Sequence, residues 1–106
     1  MRYLKTFENK EITFKTGDLV KIDNKLNINN WKLYEFLMNN VGVFNDSSVS
    51  YYFINYTDVP NDITNNFIKR DENLYELAIL KNYVRLATLE EIESYNMKQN
   101  AKKYNL

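Results

Sequence analysis

The groups available for chemistry in this 106-residue chain are carboxylates, hydroxyls, amines and phenols, because the sequence contains no histidine and no cysteine. The usual protein ligands for zinc, haem, copper and iron–sulfur clusters are therefore missing, as are a cysteine nucleophile and a Ser-His-Asp relay. Gly17 and Gly42 are the only glycines, which excludes a glycine-rich phosphate-binding loop. We expect no catalytic residues and no cofactor, and a binding role in preference to an enzymatic one.

Two groups of acidic residues have the chemistry to hold a hard cation: Asp58 with Asp62, and Asp71 with Glu72 and Glu76. An EF-hand loop needs a glycine and a closing glutamate at spacings that are absent here. Solvated turn acids explain both groups, so we predict no metal site. A small metal-carboxylate enzyme is the least favoured function.

Residues 47–57 carry no charge and hold four aromatic side chains, Tyr51, Tyr52, Phe53 and Tyr56. A strand alternates its side chains between two faces, so both faces of this segment are apolar or aromatic. One face must be core, and the other is either covered within the monomer or is a partner surface or homodimer seam. Tyrosine is enriched at interfaces. The predicted partner-binding residues are Tyr51, Tyr52, Tyr56, Trp31 and Tyr34.

Nucleic-acid binding is the alternative function. Trp31 would stack on bases while Lys25 and Lys32 contact phosphates, and Lys98 and Lys102 would add a basic tail. A net charge of zero argues against a broad cationic field. The charges are nevertheless distributed unevenly along the sequence. Residues 1–32 contain seven Lys or Arg and four acids, residues 33–80 contain two Lys or Arg and seven acids, and residues 81–106 contain five Lys or Arg and three acids. Such patches can steer a charged partner.

Alternating apolar residues bounded by polar turns predict a series of short strands. Turns are expected at Glu8–Lys10, Gly17-Asp18, Asn45–Ser48 and Arg70–Asn73, and Pro60 interrupts strand pairing. The expected strands are Tyr3–Phe7 (or an ordered arm), Ile12–Phe14, Leu19–Ile22, Val41–Phe44, Val49–Tyr56, Phe67–Lys69, Leu74–Ile79 and Tyr83–Leu86.

Two helices are predicted from their capping residues. Asn30 is placed to cap a short helix over Trp31–Met38, with a strand as the alternative for this segment. Thr88 and Glu91 have the spacing of a capping box at the start of a C-terminal helix. The expected fold is one mainly-β domain of the α+β class over residues 1–106: a small SH3-like barrel or curved antiparallel sheet, with a short helical insertion and a C-terminal helix.

Three segments carry a resemblance to known proteins: residues 3–8, 14–22 and 83–92. With their opening arm, Gly-Asp-led strand and Ala-Thr-x-Glu-Glu-Ile helix, they resemble a diffuse class of small phage and bacterial accessory proteins. The resemblance implies an SH3-like fold, no common activity and no catalytic residues. The asparagine-rich composition fits the AT-rich genomes of low-GC bacteria and their phages.

These observations predict a non-catalytic interaction protein, a phage or prophage accessory factor that binds and blocks a host protein. Its sharpest form is an anti-defence inhibitor that, like an anti-CRISPR protein, occludes a host defence nuclease complex. No apolar run approaches the ~20 residues of a membrane-spanning helix, so we expect the protein in the cytoplasm of the host bacterium.

Overall fold

The computed structural model of the chain describes the backbone of residues 13–104 and the side chains of residues 13–102. Six strands and two helices are present in this range. The strands are β1 (Leu19–Ile22), β2 (Gly42–Ser47), β3 (Tyr51–Tyr56), β4 (Ile68–Asp71), β5 (Leu74–Leu80) and β6 (Val84–Leu86). The helices are α1 (Trp31–Asn39) and α2 (Leu89–Tyr104).

The strands form a single sheet in the order β4-β5-β3-β2-β1-β6, and every pairing is antiparallel. Irregularities at Asn45 in β2 and at Arg70 in β4 interrupt the register, and such bulges bend a sheet. Within residues 13–104 no pairing joins the edge strands β4 and β6, so the sheet is curved but not closed. The predicted α+β class and C-terminal helix are confirmed, with a curved sheet in place of a barrel.

The core lies on one face of the sheet, beneath α1. Cross-strand register places Phe44 opposite Ile54, and both side chains are buried. The members of the core are Phe14, Val20, Ile22, Leu33, Leu37, Phe44, Ile54, Tyr56, Val59, Ile63 and Ile79. Aromatic edge-to-face contacts extend this core, for example between Phe36 and Tyr56, whose ring centroids are 5.4 Å apart.

Helix α1 forms where the asparagine cap and the apolar spacing agree. The Asn30 side chain accepts a hydrogen bond from the Leu33 amide at 3.1 Å, which satisfies a first-turn donor. Leu33 and Leu37, four residues apart, are the buried residues of the helix. At the other end, Asn40 Nδ2 donates to the Phe36 carbonyl at 2.8 Å. The helical prediction is confirmed and the strand alternative is wrong.

Helix α2 is held mainly by polar contacts. The predicted capping box is present, with the Thr88 amide donating to Glu91 Oε1 at 2.8 Å and the Glu91 amide donating to Thr88 Oγ1 at 3.2 Å. Both guanidinium NH groups of Arg85 in β6 donate to the Glu91 carboxylate at 2.9 Å. Near the other end, Lys102 pairs with Asp58. Half-buried Ile92, Tyr95 and Gln99 recur at helical spacing along one side of α2.

Some predicted boundaries are wrong. Thr13 and Phe14 are not in a strand, although Phe14 belongs to the core. The turn of the hairpin lies at residues 48–50 because β2 continues to Ser47. The expected strand Tyr3–Phe7 and turn Glu8–Lys10 lie outside the described residues. Over residues 13–104, no helix has the length and apolar character needed to cross a bilayer.

Candidate functional site

Strand β3 is the centre of the sheet and separates its two faces. It pairs with β5 along its whole length and with β2 over residues 52–55. Its alternation directs Tyr52, Ile54 and Tyr56 to the core face under α1. The opposite face therefore receives Tyr51, Phe53 and Asn55, and the two candidate sites lie at the two ends of this row.

The first candidate site is an apolar surface at the hairpin end of the row. Tyr51 and Leu80 are direct cross-strand partners, and they are 43% and 42% exposed. The next pair on the same face joins half-buried Phe53 to exposed Ala78. Val49, in the adjoining turn, is 95% exposed. We call these five residues, Val49, Tyr51, Phe53, Ala78 and Leu80, the hairpin-end patch.

Lys21 and Glu76 are the two charged residues that are buried among those the structure describes, and the second candidate site lies beside Lys21. Glu76 lies opposite Asn55, on the face away from α1. Its carboxylate accepts from Asn45 Nδ2 at 3.0 Å and from Arg70 Nε at 2.8 Å. Asn45 and Arg70 occupy the two irregularities in β2 and β4, so each bulge aims a polar side chain at the buried carboxylate.

Lys21 connects β1 to the end of α1. Its ammonium group donates to the carbonyl oxygens of Leu37, at 3.3 Å, and Met38. These carbonyls lie in the last turn of α1, where a cation is favoured by the helix dipole. Burial lowers the pKa of Lys21, the charges of Arg85 and Lys98 act in the same direction, and Glu91 opposes them.

A cleft of about 660 Å³ lies beside Lys21, between α2 and the sheet. Lys21, Val43 and Asn55 come from the sheet, the last turn of α1 contributes Asn39, and α2 contributes Lys98. Asn55 Oδ1 is buried and has no hydrogen-bond partner among the described residues. The cleft combines fixed donors with charged side chains, which is the composition of a polar ligand site.

The structure divides the predicted partner-binding tyrosines between the two faces of β3. Tyr51 is exposed. Tyr52 is half-buried against Phe14 and Phe44, with the Lys81 ammonium 5.2 Å from its ring centroid. Tyr56 is only 3% exposed, and burial raises the pKa of its phenol. Coverage within the monomer thus accounts for Tyr52 and Tyr56, and Tyr51 is the exposed tyrosine of the strand.

The predicted nucleic-acid residues are not brought onto one surface. Trp31 is 67% exposed and stacks on Tyr34 with ring centroids 6.4 Å apart. Lys32 pairs with Asp62 at 2.8 Å. Lys98 and Lys102 line a cleft beside Asn39 in the last turn of α1, whereas Trp31 begins that helix, about 12 Å away along its axis at ~1.5 Å rise per residue. Lys25 is exposed in the loop before α1.

The acidic groups considered for a cation are also dispersed. Asp58 is paired with Lys102 and with Asn73, and these contacts lower the pKa of its carboxyl. Glu76 is 3% exposed, so its interpretation as a solvated turn acid is wrong. Within residues 13–104, no three acidic side chains come together in a way that could hold a metal ion.

The buried residues Lys21 and Glu76 and the half-buried Asn55 are not among the site residues that the sequence predicts. Each alternates with apolar neighbours in its strand, a pattern typical of solvent-facing positions. The elements that enclose them are α2 and the side chains at the two β-bulges. These elements come from distant parts of the sequence. The chain matches no protein-family model and no curated protein. Its function is therefore argued from the two sites alone.

Proposed function

We propose that this chain is a non-catalytic protein-binding module and that the hairpin-end patch is its contact surface. The observation that supports it is the exposure of the cross-strand pair Tyr51 and Leu80 beside the almost fully exposed Val49. Neighbouring exposed apolar side chains with a tyrosine among them are typical of the centre of protein interfaces. The absence of charge over residues 47–57 fits the same role, since charged residues are depleted there.

The position of the patch in the sheet favours binding through side chains. Because β3 is hydrogen-bonded to β2 and β5, its backbone groups are satisfied and offer no edge to an added strand. Tyr51 and Leu80 are held by paired strands, which reduces the entropy lost when a partner immobilises them. The expected partner is a folded protein with an apolar pocket that accepts Tyr51 and Val49.

The sequence-based prediction of a phage accessory factor is compatible with this surface. A small protein that inserts a rigid aromatic patch into a host protein blocks that surface without chemistry of its own. Occlusion of a defence nuclease complex, in the manner of an anti-CRISPR protein, remains the sharpest form of the proposal.

The test is capture of partners by the tagged full chain from the lysate of a low-GC bacterial host, after nuclease treatment and at several salt concentrations. We expect a stoichiometric host protein that is retained by the wild type and lost by Tyr51→Glu and Leu80→Glu. The matched control is Leu89→Glu in the first turn of α2, where Leu89 is 74% exposed and lies outside the patch. Retention of the same protein by both patch variants, at unchanged melting temperature, would overturn the assignment.

Nucleic-acid binding is the second candidate, favoured by the exposed stack of Trp31 on Tyr34. The Tyr34 hydroxyl donates to the Asn24 carbonyl at 2.9 Å, which holds the Tyr34 ring in place. Aromatic platforms of this kind accept single-stranded bases. Trp31 fluorescence, titrated with a single-stranded oligonucleotide in a salt series, tests it. Quenching that weakens steeply with salt and is reduced by Lys25→Ala supports the candidate, and unchanged fluorescence contradicts it.

A further inference from the structure

Three lysines and three acids line the cleft under α2, and two of those acids are held in ion pairs. Asp58 on its wall is paired with Lys102, and Glu91 is paired with Arg85. Lys21 and Lys98 form no ion pair with another described residue. Glu90 is the remaining acid of the wall, and it is exposed in the first turn of α2, where the helix dipole already favours a negative charge. Two cations therefore share the cleft with one exposed acid.

Lys21 is fixed in this cleft before any ligand arrives. Two backbone carbonyls of α1 accept hydrogen bonds from its ammonium group, which has three protons to donate. The stem is buried in the sheet, so little side-chain freedom remains to be lost on binding. The same burial lowers the pKa of Lys21, the charge of Glu91 opposes this shift, and the charges of Arg85 and Lys98 add to it.

Asn55 supplies an independent observation that points to a polar ligand. It lies on the cleft wall, and its Oδ1 atom is buried without a partner among the described residues. A buried acceptor without a donor is unfavourable, and a ligand hydroxyl or amide would satisfy it. The oxygen and nitrogen of the amide exchange positions by a simple rotation, so Asn55 is suited to either a donor or an acceptor on the ligand.

We infer that this cleft binds a small organic anion, with its phosphate or carboxylate group between Lys21 and Lys98 and a neighbouring hydroxyl on Asn55. The volume of about 660 Å³ lies within the usual range for small-molecule sites. Lysine ammonium groups bind phosphate and carboxylate as point charges and do not impose the planar geometry that arginine does. The inference does not depend on the hairpin-end patch, which lies at the other end of β3.

The test is an NMR titration of the ¹⁵N-labelled full chain at constant ionic strength, with glycerol 3-phosphate and glycerate as probes and glycerol as the neutral reference. Comparison of the two acids distinguishes a site for phosphate from a site for carboxylate. We expect saturable shifts of the Asn55 side-chain amide and of backbone amides in β1 and α2 with at least one acid, and none with glycerol.

Variants locate the binding. Lys98→Ala is expected to raise the dissociation constant of the acid that binds by at least about fivefold, because it removes one of the two cations. Lys69→Ala, at an exposed lysine of β4 outside the cleft, is expected to leave the constant within about twofold. Absence of saturable shifts with both acids, or a constant that Lys98→Ala leaves unchanged, overturns the inference. Lys98 is used because it is exposed and does not cap α1, so its loss does not threaten the fold.

Discussion

The ring of Tyr56 lies directly over Gly42, its neighbour across the β2–β3 ladder. A Cβ atom built on Gly42 would come within 2.8 Å of Tyr56 Cζ and would overlap Ile54 Cγ2. Tyr56 and Ile54 are both buried, so neither side chain has free space into which to move. Residue 42 is therefore a glycine because a core aromatic ring occupies the place of its side chain.

Gly42→Ala should consequently destabilise the protein by about 1–3 kcal/mol, the usual cost of overpacking a core. Chemical denaturation followed by far-UV circular dichroism measures the change. The matched control is Ser47→Ala, at the exposed end of the same strand, for which we expect less than about 0.5 kcal/mol. Equal stability of the Gly42→Ala variant and the wild type would contradict the close packing.

Tyr56→Phe should be neutral or slightly stabilising. The Tyr56 hydroxyl is buried and has no hydrogen-bond partner among the described residues, so its removal eliminates an unsatisfied polar group without leaving a large cavity. Tyr56→Ala, in contrast, removes the ring and should cost about 3–5 kcal/mol. Thermal unfolding of both variants checks the pair, and a loss above about 1 kcal/mol for Tyr56→Phe would show that the hydroxyl is bonded in solution.

Removal of only one partner of the Arg70–Glu76 contact should destabilise the protein. Arg70→Ala leaves Glu76, 3% exposed, with Asn45 as its one remaining described partner, and we expect a loss of about 1–3 kcal/mol at neutral pH. Replacing Glu76 by Gln in the Arg70→Ala background should recover part of that loss, since the buried charge is then gone.

Urea denaturation of Arg70→Ala, Glu76→Gln and the double variant measures the coupling between the two side chains. Lys69→Ala is the control, because Lys69 is a neighbouring exposed cation in β4. A loss for Arg70→Ala no larger than that for Lys69→Ala would mean that the buried carboxylate does not need its arginine.

Several elements of this fold could be predicted from local sequence. Asn30 and the Thr88–Glu91 capping box mark the starts of the two helices correctly, because caps depend on residues three positions apart. The predicted strand Leu19–Ile22 has the same bounds as β1, and it follows the turn at Gly17, whose φ is +100°. Such signals need no knowledge of the rest of the chain.

The candidate sites depend on pairings between distant segments, which a single sequence does not encode. Both faces of the strand around Tyr51 and Tyr56 are aromatic, so alternation could not decide which face is core. That choice follows from α1, which covers the Tyr56 side. Glu76 likewise resembles a solvent-facing residue until β2 and β4 bring Asn45 and Arg70 to it. The sequence did identify Tyr51 as a surface residue for a partner, and that role remains a prediction.

The attachment of α2 should weaken in acid through Glu91. The hydrogen bonds from Arg85 lower the pKa of Glu91 to about 2, from an ordinary value of 4.5. A carboxyl whose pKa is depressed by folding contributes stability that is full above its unfolded pKa and is lost as the pH falls through its folded value. The contribution of this pair should thus decline between about pH 4.5 and pH 2. Its size should be about 1 kcal/mol or less, because the guanidinium of Arg85 is well exposed and solvent screens the pair.

Glu91→Gln is the variant that isolates this effect, because it keeps a side-chain acceptor for the Thr88 amide but removes the charge that binds Arg85. Wild type and variant should differ in free energy of unfolding at pH 6 and converge towards pH 2, as measured by urea denaturation across that range. Glu93→Gln serves as the control, since Glu93 is an exposed acid in the same helix. A difference between wild type and Glu91→Gln that stays constant from pH 6 to pH 2 would place the stabilisation elsewhere than in the ionised pair.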